Sequence, residues 1–436
     1  MLRKEVWRER LKGGISGGTD FAKLLGGSAG RLVISLAYFV SVANTLSVAD
    51  FGLFATASAV GIVLSRIAGF GFVSPLYRAA TRKPQLVGVY TAGLGLALLA
   101  SLPLVLLAGA LIYWLSFAGE MALTPFVVIV GTEILLWRPL EIVCIVNNGM
   151  GRFGRAAIVV ILGSLVRAIA ALLFAAAGDG SLLVWSLSYL GANALAALIA
   201  FAGFYPRYRL RLVPRLYLAR WRDSVMVATA EVAFYLQSEL DKLLVLGIAG
   251  PQTAGIYAIL SRLIDLTALP VRSFNTMIVQ KLMRSPDWLT SWRMRWTIEG
   301  GIALISTGGI AVLGAILWLR PTLLGDNVAD AAPYVLLALL VPAFRNLIEY
   351  ESEILYARGR TGIRVVILAL LGLTKAGLLS VLLISTVEDV RWIVGLNGVF
   401  ATLWLVSMMA SYTALDWKGR GPGLRGIVSP ASQPSG

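Results

Sequence analysis

The sequence contains no histidine and a single cysteine. Without histidine the chain lacks the usual proton switch near neutral pH and the commonest metal ligand. Any proton traffic would have to run through Asp or Glu. With Cys144 alone, no intrachain disulfide can form, and its place in an apolar run makes it a small packing residue. Charge is scarce as well: Asp, Glu, Lys and Arg make up 14% of the 436 residues, against 58% apolar. That balance excludes an ordinary soluble domain. No Gly-rich loop ending in Lys and Ser or Thr is present, which argues against direct ATP drive. The basic start, Met1 to Lys12, leads into no short apolar core with a small-residue cleavage site. The first apolar run is therefore read as a retained span rather than a cleaved signal.

What the sequence does contain is apolar runs of about 20 residues, the length that crosses ~30 Å of hydrocarbon. Twelve such spans are expected, at 26–47, 51–74, 87–117, 122–147, 156–177, 181–204, 224–248, 253–280, 297–319, 331–354, 363–386 and 391–415. A β-barrel would instead show alternating segments of about ten residues. The fold class is thus all-α and polytopic.

Basic residues fall on alternate connections. One set holds Arg78, Arg82, Lys83, Arg152, Arg155, the run Arg207 to Arg222, and Arg358 to Arg364. The other holds Arg320 and Arg391 among the acids Asp50, Glu120, Asp179, Asp326, Asp330, Glu388 and Asp389. The positive-inside rule places the first set, and both termini, in the cytoplasm. The formal net charge of +15 then serves topology and not nucleic-acid binding. Trp114, Trp185, Trp318 and Trp392 are expected in an outer aromatic belt, and Trp221, Trp288 and Trp417 in an inner one. The Trp and Arg alternation from Met283 to Trp296 suits a helix lying on the inner surface.

The chain also echoes itself. Gly52-Leu-Phe-Ala55 recurs as Gly255-Ile-Tyr-Ala258, 203 positions on. Gly151-Arg-Phe-Gly154 recurs as Gly359-Arg-Thr-Gly362, 208 positions on, and at that spacing Glu141 aligns with Glu349 and Arg167 with Lys375. Six spans separate the copies, so they cross in the same direction. The expectation is two parallel-repeat six-helix lobes, 26–204 and 224–415, around a central cavity. Residues 1–25 form a cytoplasmic N-terminal segment, 205–223 a basic cytoplasmic linker, and 416–436 a disordered tail.

Inside these apolar spans sit nine cations: Arg31, Arg66, Arg138, Arg167, Lys242, Arg262, Arg272, Arg345 and Lys375. Each costs roughly 2.5–3.5 kcal/mol at bilayer depth unless something better than lipid faces it. Two answers are open, a polar cavity that holds an anion or pairing with buried acids. Arg167 and Lys375, deepest and equivalent in the repeat, are the main anion-binding candidates. Arg31 and Arg66 could line an inner vestibule or snorkel. Arg138 with Glu141, and Arg345 with Glu349, have the spacing of intrahelical pairs or could meet substrate. Pro139 is expected to kink its span. Glu231, without a local partner, and Asp265 are candidates for coupling to H+ or Na+. Asp241 and Lys242 are expected to form a boundary ion pair, and Glu351 and Glu353 to be solvated. Four bases against two acids in the first six spans assign more of the positive potential to the N-terminal lobe.

Several segments resemble the O-antigen (Wzx-type) polysaccharide flippases of the multidrug/oligosaccharidyl-lipid/polysaccharide (MOP) exporter superfamily. They are Ser47-Val-Ala-Asp-Phe-Gly-Leu-Phe-Ala55, Asp241-Lys-Leu-Leu-Val-Leu-Gly-Ile-Ala-Gly250, Ala254-Gly-Ile-Tyr-Ala258 and Asn148-Gly-Met-Gly-Arg-Phe153. The resemblance spans residues from about 20 to 415. It implies a bacterial inner-membrane protein that moves an undecaprenyl-diphosphate-linked oligosaccharide from the cytoplasmic to the periplasmic face, for lipopolysaccharide or exopolysaccharide synthesis. It implies alternating access driven by an ion gradient, with no bound cofactor. A polysaccharide polymerase and chain-length proteins are the implied partners. Arg31, Arg167 and Lys375 are the positions carried over for the diphosphate.

A major-facilitator carrier also has two six-helix lobes, but the connection Ser74 to Lys83 lacks the Asp of that family's signature. A drug antiporter of the same superfamily would favour an acidic cavity. A membrane-embedded glycosyltransferase would need a large external loop, and the longest here is about twelve residues, near 320–330.

Overall fold

The computed structural model describes residues 30, 32–284, 292–386 and 391–416. Among them no strand occurs. This is what a bilayer demands: with no water to satisfy N–H and C=O groups, each spanning segment must close its hydrogen bonds within itself. The first six crossings use α1 (Leu32–Thr45), α2 (Val48–Ile67), α4 (Val87–Ser116), α5 (Leu123–Thr132) continued into α6 (Arg138–Gly149), α7 (Phe153–Ala177) and α8 (Leu182–Phe204). A short α3 (Val73–Arg82) follows α2 at the basic end, and α9 (Pro214–Leu218) lies in the basic connection. The second six use both parts of α10 (Trp221–Arg284), then α11 (Trp292–Leu319), α12 (Asp326–Val335) with α13 (Val341–Ala357), α14 (Thr361–Thr386) and α15 (Arg391–Asp416).

Among the described residues, eight helices are long and apolar enough to cross individually, and the pair α12–α13, bent by 68°, makes a ninth. Twelve crossings result once α10 is divided, α1 is included and α5–α6 is taken as one span. The division of α10 is local chemistry. Gly250 adopts φ 78°, ψ 175°, a conformation favouring glycine, and Pro251 opens the next helix without needing a donor. Between α5 and α6 a π turn, Glu133–Trp137, sits directly before Pro139, whose ring disrupts ordinary helical bonding one turn back. The irregularity at Pro139 is thus a π turn. Ser47 caps α2, its hydroxyl accepting from the Asp50 amide at 3.0 Å.

The repeat is visible in the packing. Phe54 meets Trp185 edge-on at 5.6 Å in the first lobe, and Tyr257 meets Trp392 at 6.2 Å in the second. Trp185 and Trp392 are therefore buried core residues and not members of an outer belt, whereas Trp114 and Trp318 are exposed as expected. Trp292 to Trp296 is continuous with spanning helix α11 rather than a separate surface helix; residues 285–291 lie outside the described residues, as do Trp288 and Trp417.

The lobes meet along α2 and α10, and they meet at their own counterparts. A Cβ on Gly52 would lie 2.4 Å from the Gly255 nitrogen, and one on Gly255 would lie 2.0 Å from the Val48 carbonyl oxygen. Only glycine permits this approach. At the same end, the one carrying the acidic connections, Asn327 Nδ2 donates to the carbonyls of Ala43 (2.8 Å) and Leu46 (2.7 Å). Asn44 Nδ2 donates to Leu324 O at 2.7 Å. At the basic end Gly71 abuts Ser224 and Ala228. Outside the seam, α4 turns its leucines outward, with 11% of its apolar window buried, against 67% for α2. Lipid is the solvent for that surface.

Candidate functional site: two cavities against α10

Two cavities of about 340 and 350 Å³, within the size range of ligand pockets, lie against α10, the first lined by both lobes and the second by the C-terminal lobe alone. Glu239 and Asp265 of α10 line both.

The first cavity is walled mainly by the N-terminal lobe. Mid-way along α7, Arg167 lies with its guanidinium 3.9 Å above the Trp137 ring and 5.9 Å from that of Tyr38. Its Nε donates to Gly163 O at 3.2 Å. Among the described residues no carboxylate lies within 4.0 Å of it. The aromatic faces attract the cation through their quadrupoles but leave its charge unneutralised. Facing the same space is Glu133, 2% exposed. Its Oε1 accepts from Ser58 Oγ (2.6 Å) and from the Tyr189 hydroxyl (2.7 Å). Gly61 makes room for it, since a Cβ there would lie 2.7 Å from the Glu133 Cβ. From α10 come the Glu239–Lys242 pair and Arg262, which donates to Ser35 Oγ at 2.8 Å.

In the second cavity the cations have carboxylates. Lys375, 1% exposed, donates to Asp241 Oδ2 at 2.9 Å and to Gln237 O at 2.8 Å. Tyr257 also donates to Asp241, at 2.6 Å. Arg345 approaches Asp265 at 3.5 Å, and Glu349 lines the wall.

A third group joins the lobes. Glu141 Oε2 accepts from both Arg66 and Arg138 at 2.8 Å, and Arg138 reaches Glu231 of α10 at 2.7 Å. Tyr235 of α10 covers the Arg66 guanidinium at 4.1 Å. Part of the positive charge expected in the N-terminal lobe, that of Arg138, is thus met by an acid from the other lobe.

Of the expected anion-binding residues, Arg66, Arg138, Arg345 and Lys375 have carboxylate partners, Arg167 has none among the described residues, and Arg31 lies outside them. Glu231 has a partner after all, in another lobe. Asp241 and Lys242 form no ion pair with each other; Lys242 pairs with Glu239 and Asp241 with Lys375. Adjacent residues on a helix point about 100° apart, so each finds its own partner. Glu351 is not solvated: it is 1% exposed and accepts from Ser407 of α15. Glu353, by contrast, pairs with Arg364 at the basic end, at 2.8 Å.

Sequence reasoning assigned no site role to Tyr38, Trp137, Glu133 or Arg262. One signal existed for Glu133: it stands five positions before Arg138, off the three- and four-residue pairing spacings. The aromatics gave none, since apolar spans are full of them.

A family model described as "Polysaccharide biosynthesis protein" matches residues 42–284, more than half of the chain. The chain belongs to this family. No curated protein matches the sequence. Among solved structures, a MOP superfamily transporter from Pyrococcus furiosus, described as having a binding pocket of reverse polarity, superposes with TM-score 0.61 at 15% identity. The match covers 90% of this chain and 92% of that one. An outward-facing multidrug resistance MATE family transporter of the same superfamily superposes with TM-score 0.56 at 14% identity, over 89% and 93%. At such identities the likeness is one of fold: this member of the polysaccharide biosynthesis family has the twelve-helix MOP architecture.

Proposed function

We propose that the protein carries an isoprenyl-diphosphate-linked oligosaccharide across the inner membrane by alternating access. In this reading the basic connections and both termini face the cytoplasm, the lobes rock about the α2–α10 seam, and no covalent chemistry occurs. The observation that carries the reading is Arg167. A cation at membrane depth, held by two aromatic faces and lacking a carboxylate within 4.0 Å among the described residues, suits a transient anion. A guanidinium can grip phosphate oxygens with two parallel donors. The family description supports a saccharide cargo. The Asn44 and Asn327 hydrogen bonds to the opposite lobe and the Gly52–Gly255 approach would hold one end shut while substrate enters from the other.

The test is transport by the full chain in liposomes loaded with a fluorescent isoprenyl-diphosphate saccharide. Losing one hydrogen bond to a charged group is worth about 1.5–3 kcal/mol, so Arg167→Ala should slow flipping about 10- to 100-fold with the fold retained. Full-rate flipping by that variant would overturn the site. The three carboxylates of the first cavity, Glu133, Glu239 and Asp265, favour a second reading, efflux of a cationic drug. Cation efflux by the same liposomes with no lipid movement would establish it instead.

A further inference from the structure

The first cavity contains a deep acid with no assigned task. Glu133 reaches across it from the π turn, 2% exposed, on the floor that Gly61 leaves open. One oxygen takes both hydroxyl donors, Ser58 and Tyr189. Among the described residues its other oxygen has no hydrogen-bond partner. A carboxylate this deep is expensive unless compensated. Besides the two hydroxyls, the compensating charges are Arg167 of α7 and Arg66 of α2, both within electrostatic reach. Arg66 is already engaged by Glu141. Arg167 is the cation whose charge Glu133 and an incoming anion would have to share. The other groups facing this space are Tyr38 of α1 and, from α10, Arg262, Asp265 and the Glu239–Lys242 pair.

We propose that Glu133 is a proton site linked to anion binding at Arg167. In the empty cavity Glu133 is the standing counter-charge of Arg167. When a phosphate oxygen takes the guanidinium, Glu133 loses that compensation and faces a new negative charge in a confined space. It then takes one proton from bulk water through the cavity, on the oxygen that has no protein donor, and no other bond is made or broken. The same swap run backwards expels the anion: loss of the proton restores the carboxylate, which competes for Arg167. This inference rests on Arg167 as the anion site and adds to it which acid carries the proton. The second lobe supplies the contrast, for there Asp241 lies directly against Lys375 with a tyrosine donor and no such exchange is set up.

The experiment is calorimetric titration of the purified full chain with farnesyl diphosphate, a soluble isoprenyl diphosphate. It is run in phosphate-free buffers of different ionisation enthalpy, from about pH 6 to about pH 8. Because the probe itself titrates, Glu133→Gln serves as the reference. This near-isosteric change keeps an acceptor for Ser58 and Tyr189, and thermal unfolding checks that the variant is folded. The wild type should take up more protons per bound probe than E133Q, with the difference approaching one. Its affinity should fall by up to about tenfold per pH unit as pH rises, beyond any change in the variant. Tyr189→Phe, which removes one donor to the carboxylate, should move the same profile to higher pH and provides the test if E133Q does not fold.

Equal proton uptake by wild type and E133Q, with Arg167→Ala no longer binding the probe, would sink the linkage alone. Undiminished binding by Arg167→Ala would sink the anion site as well. A Tyr189→Phe profile that does not move would exclude Glu133 as the titrating group.

Discussion

Three positions of the N-terminal lobe and three of the C-terminal lobe occupy matching places and are used oppositely. Tyr38, Trp137 and Arg167 converge in the first lobe. Asp241, Arg345 and Lys375 stand 203, 208 and 208 positions later, the spacings of the glycine landmarks. They converge in the second lobe, where Asp241 binds Lys375 at 2.9 Å and Arg345 is within electrostatic reach of both. One copy sets its deep cation against aromatic rings with no carboxylate within 4.0 Å among the described residues; the other binds it directly to a resident acid. On the proposed function, the duplicated scaffold keeps the costly charge in both halves and offers it to ligand in only one.

The most damaging way to break this comparison is at Asp241. Asp241→Asn leaves Lys375, 1% exposed, without its carboxylate, and removing one partner of a buried pair costs on the order of 3–5 kcal/mol. Chemical unfolding in detergent should show that loss, and wild-type stability would refute the structural role. Next comes conversion of one lobe into the other. Tyr38→Asp would give Arg167 the partner that Lys375 has, and farnesyl diphosphate affinity should fall about tenfold or more, because the new carboxylate opposes the anion. Retained affinity would mean that the aromatic wrapping is not what leaves Arg167 available. The smallest effect is expected at the bridge between the lobes. Glu231→Gln removes one of two acids on Arg138 while Glu141 remains, and Glu231 is about a third exposed, so about 1 kcal/mol is at stake. Its readout is the rate of lobe motion by spin-label distances. An unchanged rate would show that the Arg138–Glu231 bridge does not hold the lobes.

The contrast also separates what could be read along the chain from what could not. Gly52 and Gly255 were legible as repeat landmarks, and the structure adds why both are glycine: each is where the opposing backbone passes. Arg167 and Lys375 were legible as equivalents, but their fates were not, because the deciding residues, Tyr38 and Asp241, lie 129 and 134 positions away from them. Arg138 and Glu141 paired as their spacing suggests, yet the bond that joins the lobes spans 93 positions. Asp241 and Lys242 misled because adjacency in sequence is divergence on a helix.

By itself the sequence determined the twelve crossings, their alternation of basic and acidic connections, the duplicated lobes and the presence of deep charge. These follow from hydrocarbon thickness and from the need to close backbone hydrogen bonds within each segment, constraints that every stretch of chain must meet locally. Only the tertiary structure decided which acid meets which base, and that one cation meets aromatic rings instead. Charge compensation acts over a few ångströms between helices distant in the chain, and no local pattern records it.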